Sequence, residues 1–324
     1  MRKWIKAIGG ALTVAFVAAG LYTFFINSTS SPEETGSSSP SPSPTLTRDG
    51  ETGVIKVVTS TNVWASVVEI LGGDWVEVTP IIEDPLQDPH SYEASARDQL
   101  ALSEADLVIA NGGGYDEFMV QLMAALDGEQ TFVTLTDGEH DHEHSETDTA
   151  HANEHIWYDL EEVGHASELI VDAIVELRPE AFDQITTNFD FFISELDNLE
   201  IRREALREKA LGIGYVAAEG VANLMLDEAG FENVTPEALA DAIEEEREVP
   251  PAALKQATDL IEGDVAGLLV VNAQVSDVAT EELRAVAEAV GVPVFEASEL
   301  IPASDMDYLD WMASILDQLQ EAVY

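Results

Sequence analysis

The order of apolar segments along the chain is the feature that most constrains its fold. In the first half, β-branched runs such as GVIKVVTS and DLVIAN alternate with segments of helical spacing such as TNVWASVVEILGG. The same alternation returns near the C-terminus in VAGLLVVN, TEELRAVAEAVG and VPVFEA. Strands that alternate with helices form parallel sheets covered by helices. The sequence therefore predicts an α/β protein with two Rossmann-like lobes.

One long segment separates the two alternating regions. It has apolar residues at helical spacing and no internal glycine or proline between Glu180 and Leu211, so it predicts one rigid helix, far longer than the average of about 11–12 residues. Ligands of parallel sheets lie beyond the carboxyl ends of the strands, so we expect a site in the cleft between the lobes. The predicted division is an N-terminal lobe at 54–180 with a histidine-rich loop at 137–154, a linking helix at 181–211, and a C-terminal lobe at 212–324.

The first 53 residues differ from the rest in composition. Arg2, Lys3 and Lys6 precede an apolar run from Ala7 to Ile26, which predicts either a signal peptide or an N-terminal membrane anchor over 1–27. The positive flank would remain cytoplasmic and place the following residues outside. Residues 28–53 are rich in serine and proline and predict an extended tether. We therefore expect an extracytoplasmic protein, at the cell surface or in the periplasm.

Charge and cysteine usage exclude several classes of function. The chain carries 63 acidic and 14 basic residues, a net charge of −49. Nucleic-acid binding depends on basic residues that contact phosphates, so this class is excluded. Acidity of this degree fits a highly hydrated surface outside the cell or in high salt. The absence of cysteine excludes disulfides, thiolate metal sites, cysteine nucleophiles and a lipid-modified cysteine.

Three residues that follow predicted strands are candidate metal ligands. His90 lies in EDPLQDPHSYEAS, where Pro85 and Pro89 restrict the loop. His155 opens the aromatic run of NEHIWYDL, and Glu219 ends a strand in VAAEGVANLML. Each also has an ordinary structural interpretation, such as a surface histidine or a carboxylate at a helix N-terminus. Imidazole and carboxylate ligands together suit zinc, and a larger share of oxygen ligands favours manganese.

The segment VVNAQVSDVATEEL offers further polar groups after a buried strand. Ser276 or Asp277 is expected to cap the helix that follows this strand. Asp277, or the amides of Asn272 and Gln274, also follow the strand closely enough to face the cleft.

The chain resembles bacterial zinc/manganese solute-binding proteins of ABC importers. The resemblance rests on five segments in consistent order: DPHSYEAS, NEHIWYDL, the long helix, AAEGVANLML and the closing YLDWMASILDQL. The resemblance runs from about Val54 to Tyr324. It implies a monomeric, non-enzymatic receptor that holds one ion between its lobes and delivers it to an ABC permease and its ATPase subunit. The cargo implied is Zn²⁺ first, with Mn²⁺ as the alternative. By position, the implied ligands are His90, His155 and Glu219, and the fourth is Asp277, Ser276 or a water.

Five of the seven histidines lie in HDHEHSETDTAHANEH, at 140–155. Within it, HANEH matches the H-x-x-E-H pattern of metallopeptidases, which would use His151, Glu154 and His155 on a helix as a zinc hydrolase. The preceding polar residues and the following IWYD favour instead a turn into an extended segment, so we predict no enzyme. The remaining histidines predict either a weak metal-collecting loop or a solvated one. An adhesin or surface metal buffer on the same scaffold is a further interpretation.

Overall fold

Two four-stranded parallel sheets form the framework of the computed structural model, which describes residues 53–126, 128, 130–136, 153–244, 247–275 and 277–323. The predicted signal or anchor at 1–27, nearly all of the tether, and the histidine-rich loop up to residue 152 lie outside these residues. Among the described helices, none has the length and apolar character needed to cross a bilayer.

The first sheet has the strand order β2-β1-β3-β4, with every neighbouring pair parallel. Its strands are β1 Ile55–Thr61, β2 Val76–Ile82, β3 Leu107–Gly112 and β4 Thr131–Thr136. The helices of this lobe are α1 Asn62–Gly72, α2 Ala96–Glu104, α3 Glu117–Ala124 and α4 Leu160–Leu177. The apolar run of β3 is buried on both faces, as expected for a parallel strand covered by helices.

The long helix α5, Phe182–Ala210, follows and has 29 residues. Its buried side chains recur at helical spacing and include Phe189, Phe192 and Leu199. The Asn188 side chain donates to the carbonyl of Leu71 in the first lobe. Near its other end, Arg207 donates to the carbonyl of Glu228 in the second lobe. The helix therefore packs against both lobes.

The second sheet repeats the first, with the order β6-β5-β7-β8 and parallel pairing throughout. Its strands are β5 Gly214–Ala217, β6 Glu232–Asn233, β7 Ala266–Asn272 and β8 Val294–Ala297. Its helices are α6 Asn223–Glu228, α7 Glu237–Glu244, α8 Pro251–Glu262, α9 Val278–Val290 and α10 Tyr308–Ala322. One apolar cluster runs continuously from Val57 of β1 through Phe192 of α5 to Val270 of β7.

Three local predictions were wrong in detail. The helix expected from Gly220 begins at Asn223, so Glu219 lies in a loop and not at a helix N-terminus. The residues after His155 form a 3₁₀ turn, Ile156–Tyr158, where an extended segment was expected. The edge strand β6 was not predicted because it is only two residues long and leaves no alternating pattern.

Candidate metal centre

His90 lies in the loop that joins β2 to α2. Its backbone N–H donates to Oδ1 of Asp88 at 2.9 Å, a short-range bond that holds the loop together with the flanking prolines. The imidazole contacts the ring of Tyr115 edge-on, with centroids 5.3 Å apart. The side chain is 30% exposed, so His90 lies at the boundary between the cleft and solvent.

His155 is buried at the start of the 3₁₀ turn that leads into α4. Its Nδ1 lies 2.8 Å from Oδ1 of Asn153, which also accepts from the His155 backbone N–H. The Asn153 amide group donates in turn to the carbonyl of Gly220, which fixes its oxygen toward the ring. Because an amide oxygen only accepts, Nδ1 carries the proton and Nε2 keeps its lone pair. Among the described residues, buried Nε2 has no hydrogen-bond partner.

The two carboxylates of the centre occupy equivalent positions in the second sheet. Glu219 follows the last residue of β5 by two positions, and Glu299 follows the last residue of β8 by two positions. Asn272, which ends β7 between these strands, donates to Oε2 of Glu219 at 2.8 Å and to Oε1 of Glu299 at 2.7 Å. Glu299 is fully buried. Parallel pairing thus delivers both carboxylates to the same edge of the sheet.

A glycine turn after β3 brings Tyr115 to this edge. Gly112, Gly113 and Gly114 all have positive φ, at 84°, 64° and 98°, a conformation that glycine adopts without steric penalty. Asp116 accepts the backbone N–H groups of Asn111 and Gly112 and closes the turn. The Tyr115 hydroxyl then donates to Oε2 of Glu299 at 3.0 Å. The glycine turn of the NGGGY motif therefore positions the Tyr115 hydroxyl against Glu299.

The four side chains converge. Nε2 of His90 lies 3.4 Å from Oε2 of Glu299, and Nε2 of His155 lies 4.0 Å from the same oxygen. Potential ligand atoms of His90, Glu219 and Glu299 all lie within 4.8 Å of one another. Glu154 forms a second such group with the two histidines. Two imidazoles and two carboxylates match the donors and the number that zinc takes in proteins.

The electrostatics of the centre follow from burial and from these contacts. Burial acts to lower the pKa of His90, but the hydrogen bond to Glu299 and its charge outweigh burial and raise this pKa to about 9. Burial lowers the pKa of His155 below its ordinary value, which keeps this imidazole neutral. Burial and the neighbouring charge of Glu299 raise the pKa of Glu219 to about 7.

Glu299 titrates in the opposite direction to Glu219. Burial acts to raise its pKa, but the hydrogen bond with His90, the positive charge of His90 and the hydrogen bond from Asn272 outweigh burial and hold this pKa below its ordinary value. The centre therefore holds a charged His90–Glu299 pair beside a neutral His155.

Of the four residues expected from the sequence, the structure brings together His90, His155 and Glu219. Asp277 is not with them: it is exposed and caps α9, where its carboxylate accepts the backbone N–H of Thr280 at 2.7 Å. Ser276 lies outside the described residues. Glu299, which sequence reasoning missed, is the fourth side chain of the cluster. A signal was present, since Ala-Ala-Glu at 217–219 and Ala-Ser-Glu at 297–299 end two strands in the same way.

The zinc-hydrolase arrangement does not form at the described end of HANEH. Residues 153–155 are not helical, whereas that chemistry requires a helix that presents both histidines on one face. His151 lies outside the described residues.

Fold and donor set together define the class: a two-lobed α/β protein whose cleft holds an imidazole–carboxylate cluster suited to a divalent metal. Residues 57–322 match the model of the family described as "Zinc-uptake complex component A periplasmic". The chain belongs to this family.

Individual relatives and solved structures agree with that assignment. The chain is 29% identical over 191 residues to the manganese-binding lipoprotein MntA of Halalkalibacterium halodurans, covering 58% of this chain and 55% of that protein. It is 24% identical over 151 residues to the zinc-binding protein TroA of Treponema pallidum, covering 46% and 49%. These alignments thus span about half the length of each relative.

The structural likeness extends over more of the chain. A structure of the periplasmic zinc-binding protein TroA of Treponema pallidum superposes with a TM-score of 0.72 at 18% identity, covering 84% of this chain and 99% of that one. A manganese-bound periplasmic metal-binding protein from Candidatus Liberibacter asiaticus superposes with a TM-score of 0.66 at 20% identity, covering 83% and 100%. Identity at this level supports the fold alone.

Proposed function

We propose that this protein is an extracytoplasmic receptor that captures one divalent transition metal ion and delivers it to an ABC importer. The ion is cargo, held by His90, His155, Glu219 and Glu299 and released to the permease. The permease and its ATPase subunit are the partners, and the protein itself catalyses no reaction. Membership of the zinc-uptake family and the printed roles of its relatives support this proposal.

The buried and unpartnered Nε2 of His155 carries the proposal. A buried polar atom without a hydrogen-bond partner is destabilising, and this one lies 4.0 Å from Oε2 of Glu299, with His90 and Glu154 also close to His155. A divalent cation satisfies this atom and neutralises the carboxylates of Glu299 and Glu219, which form a second cluster with His90. The fixed Nδ1 proton keeps His155 in the tautomer that a metal requires.

We propose zinc as the preferred cargo and manganese as the alternative. Two nitrogen and two oxygen ligands form a complete tetrahedral shell for zinc. Manganese favours a larger share of oxygen ligands, and Glu154 is close enough to the histidines to supply another. The relatives include both zinc-binding and manganese-binding proteins.

Zinc titration of the full chain against a competing chelator tests this function. We expect the wild type to bind one ion tightly. A His90→Ala, His155→Ala double variant should lose far more zinc affinity than the roughly 10–100-fold typical of an outer-shell change. His165→Ala is the matched control, because His165 lies on the surface of α4 with its side chain 53% exposed. A double variant with unaltered zinc affinity would contradict the proposal.

A further inference from the structure

We propose that Asn272 is a positioning residue that limits each carboxylate of the centre to one metal-ligating oxygen and so favours zinc over manganese. The inference rests on the proposed metal-binding function and concerns the selectivity of the same centre. The Asn272 amide is not one of the proposed metal ligands, so its role would be to position them.

The position of Asn272 in the sheet makes this role possible. It ends β7, the strand that pairs with β5 on one side and β8 on the other. Glu219 and Glu299 follow those two neighbouring strands, so the Asn272 side chain reaches both. Its Nδ2 donates to Oε2 of Glu219 and to Oε1 of Glu299. Both hydrogens of the amide are therefore used on the two carboxylates.

The orientation of the Asn272 amide is fixed. Its Oδ1 accepts the backbone N–H of Gln274 at 2.9 Å. A flipped amide would place its oxygen against two carboxylates and its NH₂ group against a backbone donor. The residue is 3% exposed, so water does not readily replace any of the three bonds.

These bonds divide the carboxylate oxygens into two sets. Oε1 of Glu299 is bound to the Asn272 amide, whose orientation is fixed, whereas Oε2 accepts from the Tyr115 hydroxyl, which can turn, and faces His90 at 3.4 Å and His155 at 4.0 Å. Oε2 of Glu219 is likewise bound to Asn272, which leaves its Oε1 for an ion. An ion bound through both oxygens of either carboxylate would have to share the oxygen that accepts from Asn272 and compete with that hydrogen bond, and a buried donor left unpaired is destabilising.

Selectivity follows from the number of oxygens. Two imidazoles and two single oxygens make four ligands, which is the shell that zinc adopts. Manganese favours more oxygen ligands, and bidentate carboxylates would supply them. Asn272 therefore opposes the shell that manganese prefers and leaves the zinc shell intact.

Competition titrations of the full chain with Zn²⁺ and Mn²⁺ test the inference, with the ratio of the two dissociation constants as the readout. A general loss of order in the centre would weaken the binding of both ions, so its effect largely cancels in the ratio of the two dissociation constants. We expect Asn272→Ala to reduce the preference for zinc by about tenfold or more, in the range seen for changes next to metal ligands. Asn233→Ala is the matched control, because Asn233 ends the edge strand β6 of the same sheet and is exposed.

A second variant and a wild-type measurement cover a failure of Asn272→Ala to fold. Asn272→Ser retains at most one donor and should reduce the zinc preference by an intermediate factor. A crystal structure of the zinc-loaded wild type should show both carboxylates bound through one oxygen, each with its other oxygen on Asn272. An unchanged ratio in a folded variant, or a bidentate carboxylate on zinc, would overturn the inference while leaving the proposed function standing. A wild type that binds neither ion would refute both.

Discussion

Glu299 shows what a fully buried carboxylate requires of its surroundings. Removing a charged group from water is unfavourable unless partners replace the solvent. Here Tyr115 donates to one oxygen, Asn272 donates to the other, and His90 pairs with the charge. Burial alone would raise the pKa of Glu299, but the contacts with His90 and Asn272 hold it below the ordinary value. The carboxylate is therefore ionised and ready for a cation.

The sequence-based and structure-based interpretations differ in the fourth ligand, which is Asp277 in the first and Glu299 in the second. We expect Glu299→Gln to weaken zinc binding by more than the roughly 10–100-fold typical of an outer-shell change, because it removes a charged ligand. Asp277→Asn should leave zinc affinity unchanged, since asparagine caps a helix as well as aspartate does. Chelator-competition titration of the two variants checks this. The reverse result would restore Asp277 as the ligand.

Zinc affinity should depend on pH with a sign fixed by the two raised pKa values. A ligand must lose its proton before it binds a metal. With the pKa of His90 at about 9 and that of Glu219 at about 7, binding releases about one proton between pH 7 and 9 and about two just below pH 7. Affinity should therefore rise with pH and level off above about 9.

Calorimetry in buffers of different ionisation enthalpy measures this proton release directly. His90→Ala should remove most of the release at pH 8, where Glu219 contributes little. Zinc binding to the wild type at pH 8 without proton release would show that His90 is not a ligand or is not protonated in the empty centre.

At the scale of elements, the sequence predicted most of the framework. Apolar runs such as that of β3, the segments of helical spacing and the length of α5 all carry strong periodic signals. The short strand β6 carries none, because two residues show no period. The 3₁₀ turn after His155 also escaped prediction, since Ile-Trp-Tyr is apolar and aromatic in any buried conformation.

The candidate site was predictable where a residue type is distinctive. His90 and His155 stand out because only seven histidines occur in the chain. Glu299 is one of 63 acidic residues, so residue type does not distinguish it. Its role depends on burial and on the adjacency of β7 and β8, which only the folded sheet reveals. The available signal in the sequence was a repeated pattern: Glu299, like Glu219, follows the end of its strand by two residues.

The continuity of α5 is testable at one exposed position near its end. Ala205 is exposed, so its substitution changes the backbone rather than the core. We expect Ala205→Pro to lower the free energy of unfolding by about 3 kcal/mol and Ala205→Gly by about 1 kcal/mol. Chemical denaturation measures both changes. Equal effects of proline and glycine would contradict an uninterrupted helix at this position.

At the scale of the whole molecule, the centre joins two lobes. The first lobe supplies both histidines and the second supplies both carboxylates. Further bonds cross the cleft close to the site: Asn153 donates to the carbonyl of Gly220, and the Gln274 amide donates to the carbonyl of Pro85 at 2.8 Å. Two residues beyond Glu299, the backbone of Ile301 exchanges two hydrogen bonds with the Asn62 side chain of the first lobe. An ion in the cleft would therefore bridge lobes that are already held in register.

Anomalous diffraction at the zinc edge from crystals of the zinc-loaded protein tests the central claim most directly. The account predicts one strong peak about 2.0–2.2 Å from Nε2 of both His90 and His155 and from one oxygen each of Glu219 and Glu299, the distances typical of zinc ligands. A peak coordinated by Glu154 or Asp277 in place of Glu299 would contradict the ligand set. The absence of a peak in the cleft of a zinc-loaded crystal would contradict the account as a whole.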